Sequence, residues 1–301
     1  MTFEQLRVFV AVAERGHLTK ASALLSLTPS AVSASIRGLE ERYGTPLFDR
    51  VGRGIVLSDA GRAFLPEAKA TLASVLATET MLRDLGNGQR GTLHLQASQT
   101  IASYWLPALM ARFHERFPLV QLCLTLGNTQ SVARAVIEGA VEIGFVEDRV
   151  DDTLLSSTRL CDDQFVVVVA PGHPWADGRL LSPAALLDGK WIMREQGSGT
   201  RSAFEEMLAA VGVDSAALDV AFTLPSNEAV RAAVMTGVYV TVLSTLVVTT
   251  ELKAGLLQMA SIALPARSFY LIRQPSRYKS RAATALEQLI AQFDRQMSNR
   301  H

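Results

Sequence analysis

From His17 to Leu57 the chain reads as two short helices joined by a tight turn and followed by a hairpin, and this segment leaves its domain little latitude in fold. Leu18 to Leu25 offers Ala21, Leu24 and Leu25 as a small apolar underside for a second helix. Thr28-Pro29-Ser30 then supplies a helix start: a hydroxyl cap, proline at the first helical position, and a small polar residue. Val32, Ile36 and Leu39 recur at i, i+4 and i+7 and predict one buried stripe. At about 100° per residue, Ser30, Ser33, Ala34 and Arg37 gather on the opposite face. Those side chains are short, with one arginine among them, so the backbone can come close to a groove floor. A face made only for solubility would carry more Glu and Lys. The pattern predicts a helix that enters a DNA major groove, with Thr28, Pro29, Ser30, Ser33, Ala34 and Arg37 at the contact. Gly52 and Gly54 flank Arg53 at the hairpin tip, with Ile55-Val56-Leu57 as the return strand. Arg50 and Arg53 are thereby placed to meet phosphate or the minor groove.

Around this segment, Phe3, Leu6, Phe9, Val10 and Val12-Ala13 predict a supporting amphipathic helix. From Ser58 a long helical stretch runs to about Leu85, with Leu65, Ala68, Leu72, Val75 and Leu82 at an a/d-like spacing that Glu79 interrupts. Such a helix is expected to pair with its copy in a second subunit, and Pro66 to kink it early. Gly86-Asn87-Gly88 ends it, and Gly91 opens the next domain. Residues 92–301 alternate short apolar strands with helices, which predicts α/β architecture with largely parallel sheets. Strands are expected at Thr92–Ala97, Val120–Leu126 and Val141–Val146, and again at Phe165–Ala170, Trp191–Met193, Val220–Leu224 and Val238–Leu243. Phe269–Arg273 and a helix over Arg281–Gln296 then return to complete the first subdomain.

The run FEQLRVFVAVAERGHLTKASALLSLTPSAVSASIRGLEERYGTPLFDRVGRGIVLSDAG resembles the N-terminal domain of the LysR-type transcriptional regulators, without a gap over about the first 60 residues. The resemblance implies an α plus α/β protein: an N-terminal winged helix-turn-helix over 1–58, a long dimerisation linker helix over 59–89, and a two-lobed, periplasmic-binding-protein-like effector domain over 90–301. Lobe I would hold about 90–163 and 269–301, and lobe II about 164–268. It also implies a sequence-specific regulator of transcription that binds double-stranded DNA, is modulated by a small effector, and works as a homodimer or homotetramer. In such lobes a ligand sits at the carboxyl ends of strands against helix N-termini. Ser98-Gln99-Thr100, Gly127-Asn128-Thr129 and Gly197-Ser198-Gly199-Thr200-Arg201 all have that placement. Amides at helix starts favour an anion, each dipole contributing about 0.3–1 kcal/mol when exposed; the alternative for any one of the three is a plain helix cap.

ASQTIASYWLP and REQGSGTR are similar to segments of family members that sense small inorganic oxyanions, especially in sulfur metabolism. By that resemblance Thr100 and Thr200 match ligand-contacting positions, followed by Gln99, Ser198 and Asn128. Glu147 works against a dianion, and suits a ligand carrying its own donor or an arginine neighbour. Arg201 opposes the dipole of its own helix, and either neutralises the ligand or pairs with a carboxylate across the lobe. Ser226-Asn227-Glu228 reads as a structural cap that could also line the far side of the cleft. Two positions depart from many members: Ala34 and Ser35 stand where a long glutamine or arginine is common, so base reading there rests on short contacts and shape. Tyr239 replaces a small residue, and either fills part of the pocket or packs between lobes.

Composition narrows the alternatives. A chain of 301 residues has room for two or three domains. Its 29 basic and 29 acidic residues argue against a non-specific nucleic-acid coat, while residues 1–62 hold eight Lys/Arg and six Asp/Glu, a net of +2. Affinity for DNA would therefore need dimerisation and well-placed contacts. Cys123 and Cys161 lie far apart with no partner motif, as expected of reduced thiols. The opening Met1-Thr2-Phe3-Glu4 lacks a leader pattern, and Val238 to Val248 is too short to span a bilayer, so no membrane association and a cytoplasmic location are expected. An enzyme is disfavoured. The five histidines are scattered, GxSxG is missing, Ser276 to Lys279 matches SxxK without companion motifs, and Asp148 to Asp152 reads as a solvated loop. No metal or cofactor is expected.

Overall fold

The computed structural model describes residues 1–51, 54–87 and 91–298. Its contacts divide the chain into two units: Met1–Leu85 with Glu138–Ala140, and Gly86–Ile137 with Val141–His301. Among the described residues no helix is long and apolar enough to cross a membrane.

The first unit begins with α1 (Phe3–Arg15), α2 (Leu18–Leu25) and α3 (Pro29–Tyr43). Thr2 caps α1 in a reciprocal box with Gln5, and Gly16 ends it at φ 61°, a left-handed conformation in which glycine has no Cβ penalty. Leu6, Phe9 and Val12 of α1 pack with Ala21 of α2 and with Val32, Ile36 and Leu39 of α3. Strands β1 (Phe48–Val51) and β2 (Gly54–Leu57) pair antiparallel, Arg50 opposite Ile55. The hairpin is tied to α3 by the Glu40 carboxylate, which accepts the Leu47 N–H at 2.7 Å and the Phe48 N–H at 3.1 Å. The ring of Phe9 meets those of Phe48 and Phe64, with centroids 5.4 and 4.9 Å away. The hairpin-tip residue Arg53 and the linker residue Gly88 lie outside the described residues.

Helix α4 (Asp59–Asn87) runs unbroken through Pro66. Ser58 caps its start through the Gly61 N–H, and a Cβ on Gly61 would lie 2.1 Å from the Leu47 carbonyl oxygen, so only glycine fits there. The apolar stripe expected to pair with a second subunit divides in two. Phe64, Leu65, Ala68 and Leu72 belong to the core of the first unit, whereas Leu76, Met81, Leu82 and Leu85 are 59, 44, 65 and 67% exposed. In the second half of the helix Met81, Leu82 and Leu85 share an exposed apolar face, with Leu76 on the opposite side.

The second unit contains two five-stranded sheets. The first has the order β4 (Val120–Gly127), β3 (Gly91–Ser98), β5 (Ile143–Glu147), β12 (Arg267–Arg273), β6 (Ser156–Asp163). The second has the order β11 (Gln258–Met259), β7 (Phe165–Val169), β10 (Val240–Ser244), β8 (Lys190–Arg194), β9 (Asp219–Leu224). In each, four strands run one way and one strand, β12 in the first and β7 in the second, runs antiparallel to both of its neighbours. Each sheet thus has two parallel and two antiparallel pairings and is mixed rather than largely parallel. Helices α5 (Leu106–Arg116), α6 (Thr129–Glu138) and α10 (Arg281–Ser298) cover the first sheet; α7 (Gly199–Ala210), α8 (Asn227–Val234) and α9 (Thr245–Lys253) cover the second. A single π-turn, Ile101–Trp105, precedes α5. Such turns cost backbone geometry and cluster at functional positions.

Candidate functional site

On the first unit, most of the residues expected at DNA lie at the start and along the outer side of α3. The Thr28 hydroxyl accepts the Ala31 N–H at 3.2 Å and lies 3.0 Å from the Ser30 hydroxyl, so both ends of the cap are ordered. Thr28, Pro29, Ser30, Ala34 and Arg37 are exposed and Ser33 half-buried, while Val32, Ile36 and Leu39 face the core. Arg50 is exposed on β1. The helix therefore presents a shallow surface with Arg37 projecting from it, a shape suited to close approach to base edges.

On the second unit, the carboxyl ends of β3, β5 and β8 converge with the start of α7. Gly199 makes this approach possible: a Cβ there would lie 2.5 Å from the Thr129 hydroxyl and 2.8 Å from the Glu147 carbonyl oxygen. Ser198 occupies the N-cap of α7 with its side chain making no cap hydrogen bond, so it is not the plain cap that such a residue usually forms. Glu147 sits at the convergence, 2% exposed. Its carboxylate accepts the Thr100 N–H at 3.2 Å on Oε1, and the Thr200 hydroxyl at 3.1 Å and Arg267 Nη1 at 2.9 Å on Oε2. Arg267 also donates through Nε to Asp163 at 2.7 Å and lies over the Phe165 ring, 4.1 Å from its centroid. Asp163 in turn accepts from the Ser244 hydroxyl.

A second strand of the network joins the same residues. The Asn227 side chain donates to the Thr100 hydroxyl at 3.0 Å and accepts from Arg194, whose guanidinium holds Glu195 through Nε at 2.8 Å and Nη2 at 3.0 Å. Gln99 accepts the Asn227 N–H at 2.7 Å and donates to Glu228, which also receives the Tyr104 hydroxyl at 3.0 Å. Burial and the Glu228 carboxylate push the Tyr104 phenol up to about 12. Burial alone would raise the Glu147 carboxyl; Arg267, Thr100, Arg194 and Thr200 together hold it below its ordinary value. Asp163 goes the other way, raised by burial despite Arg267 and Ser244. Directly after Glu147, Asp148 adopts φ 78°, an uncommon conformation of the kind that gathers at binding sites. Beside the network is an open depression of about 390 Å³ lined by Asp148, Phe165, Ala203, Met207, Arg267 and Tyr270.

Of the residues expected at a ligand, Gln99, Thr100, Glu147 and Thr200 are brought into this network. Asn128 caps α6 instead: its side chain accepts the Ser131 N–H at 2.9 Å, the ordinary cap outcome. Arg201 is occupied within its own helix, donating to Glu205 at 2.7 Å and to the Arg194 carbonyl at 3.2 Å. Its carboxylate partner is thus one turn along α7, and not across the lobe. Tyr239 meets Phe222 edge-on at 5.3 Å and packs against the apolar cluster that includes Val230, Val234 and Leu243. Arg267, Asp163 and Arg194 were missed, and Asn227 was read chiefly as a cap. The available signal was a charged residue at the end of a buried strand, as Arg194 is on β8; Asp163 ends the polar strand β6, which offered no such signal. Ser98, 1% exposed at the end of β3, has its hydroxyl unpartnered.

The class defined by these units is a groove-reading domain joined to a two-lobed α/β binding domain. Residues 3–62 match the family described as bacterial regulatory helix-turn-helix protein, lysR family, and residues 86–295 match the LysR substrate binding domain. The chain is 35% identical over 284 residues to the HTH-type transcriptional regulator YeiE of Escherichia coli, with 94% of each chain covered. It is 31% identical over 292 residues to the RuBisCO operon transcriptional regulator of Allochromatium vinosum, covering 96% of this chain and 95% of that one. Among solved structures it is similar to full-length OxyR of Pseudomonas aeruginosa (TM-score 0.71, 21% identity, 96% of this chain and 94% of that one). It is also similar to the LysR family regulator CbnR (TM-score 0.70, 18% identity, 98% and 99%). The chain belongs to the LysR family of DNA-binding transcriptional regulators and carries that family's effector-binding domain; it is a regulator, not an enzyme.

The likeness to OxyR concerns the fold. Cys123 on β4 and Cys161 on β6 occupy opposite edges of one five-stranded sheet. Four inter-strand steps of about 4.8 Å separate them by roughly 19 Å. A disulfide needs Cα atoms within about 7 Å, so these two thiols do not pair within this fold.

Proposed function

We propose that this regulator responds to a small anion held where Glu147, Thr100, Thr200 and Arg267 converge. The observation that carries the reading is Glu147 itself. Its carboxylate takes up one backbone N–H, one hydroxyl at the start of α7 and one guanidinium N–H. Arg267 Nη2 is left beside it without a partner, a buried guanidinium N–H suited to an oxyanion or a small carboxylic acid. In this reading residues 1–58 bind double-stranded DNA through Thr28, Pro29, Ser30, Ser33, Ala34, Arg37, Arg50 and Arg53. Residues 59–89 join two copies, and residues 90–301 form the effector domain of a homodimer or homotetramer working in the cytoplasm. The exposed Met81, Leu82 and Leu85, on one side of α4, support self-association.

Occupancy of the cleft shifts the arrangement of the lobes only if the ligand binds one arrangement better, and a tenfold preference supplies about 1.4 kcal/mol. The test is a thermal-shift screen of the full-length chain against small anions and carboxylic acids. A ligand at a hundred times its dissociation constant adds about 2.7 kcal/mol of stability. Thr200→Phe is expected to abolish that shift while DNA binding in a gel-shift assay persists. Unchanged ligand affinity in that variant, measured by calorimetry, would refute the site.

A further inference from the structure

We propose that Glu147 makes the cleft selective for anions that carry a hydrogen-bond donor beside their charge, a protonated oxyanion or a hydroxycarboxylate, and against anions that only accept. The inference rests on the anion reading above and names the ligand class within it.

A carboxylate offers about four lone-pair positions. In Glu147 three are used: Oε2 receives Thr200 and Arg267, while Oε1 receives only the Thr100 N–H. One acceptor position on Oε1 remains. A buried donor on the same guanidinium also remains unused, Arg267 Nη2 in a residue 5% exposed, and the Ser98 hydroxyl, 1% exposed at the end of β3, is a second buried group without a partner. Leaving such groups unpaired is costly in a native interior, and each calls for a partner. The unmet demand is thus one donor and at least one acceptor, the complement of a protonated or hydroxylated anion.

Charge leads to the same conclusion. Glu147 and Asp163 face a single guanidinium, Arg267, for a formal net of −1, and Arg194 is matched by Glu195. An acceptor-only anion would bring a second negative oxygen against the buried Glu147 carboxylate, the arrangement that forces paired carboxylates to share one proton. Arg267, Thr100 and Thr200 keep Glu147 ionised, so the shared proton has to come on the ligand. A hydroxyl or protonated oxygen turns that repulsion into a hydrogen bond.

The experiment is calorimetric titration of the full-length chain at neutral pH with two matched pairs of probes. Inorganic phosphate, protonated at that pH, is set against sulfate, which is not; glycolate is set against acetate. The wild type is expected to prefer the first of each pair by at least about tenfold, since a buried acceptor left unmet penalises the analogue lacking the donor. Glu147→Gln, whose amide can donate to an acceptor-only anion, is expected to bring both ratios within about threefold. Equal affinities within each pair for the wild type, or ratios unchanged in Glu147→Gln, would overturn the proposal. Should that variant not fold, the wild-type ratios decide alone. Binding without selectivity defeats this inference only; four probes that bind neither protein defeat the anion reading and this inference with it.

Discussion

At the scale of single residues, the cleft depends on small and charged side chains in close contact. Gly199 lets α7 come against the end of β5, where a Cβ would strike the Glu147 carbonyl oxygen at 2.8 Å and the Thr129 hydroxyl at 2.5 Å. Backbone cannot yield as a flexible side chain can. Gly199→Ala is therefore expected to cost about 1–3 kcal/mol in urea unfolding and to abolish the ligand-induced thermal shift; a fully stable, ligand-responsive variant would show that the contact is not needed. The carboxylates make a pH prediction. Glu147 has a folded pKa below 4.5, so its contribution to stability is complete above that value and is lost as pH falls through the folded one. Asp163 is raised above 3.8, so its contribution exists below 3.8 and is lost as pH rises through its folded value. The stability gap between wild type and Glu147→Gln should then be widest near neutral pH and narrow below 4.5; a gap that widens on acidification in urea titrations contradicts the assignment. Thr100, Thr200 and Glu147 were legible in the sequence because each follows a buried strand or opens a helix. Arg267 and Asp163 were not, because 104 residues separate them and only the return of the chain through β12 makes them neighbours.

At the scale of elements, the 3.6-residue period identified α1, α2, α3 and α4, and in α3 the buried stripe Val32, Ile36 and Leu39 as well, whereas Phe3 of α1 and Leu24 of α2, expected on packed faces, are 57 and 55% exposed. Strand β6 was missed because Ser156–Asp163 is a polar edge strand whose only sheet partner is β12. Helix α9 was hidden in the apolar run after Val238, where strand β10 passes into the helix without a break and periodicity cannot separate them. The stripe of α4 was seen as one seam, yet its first half serves the core of its own unit and its second half is bare. That division is testable. Leu82→Glu is expected to lower the mass of the assembly in light scattering while the fold persists, because it charges an exposed apolar face. Leu72→Glu is expected instead to melt the first unit, placing a charge against a packed core at a cost of several kcal/mol. Dissociation by neither variant would leave α4 outside the subunit contact.

At the scale of the whole molecule, balanced overall charge agrees with a reader that relies on placed contacts more than on bulk attraction. The two-unit layout was readable because the amphipathic helices give way to alternating strands and helices near Gly91. The mixed sheets were not readable, because strand direction is set by where the chain crosses between lobes and not by local pattern. The central claim is that α3 reads DNA sequence with Arg37 at its contact face. Its most direct test is selection of sheared genomic DNA by the purified full-length chain at physiological salt, sequenced beside the same selection with Arg37→Ala. A small set of fragments enriched by the wild type and lost with Arg37→Ala is the predicted result. Recovery indistinguishable from the input DNA, or the same enrichment by both proteins, would contradict it.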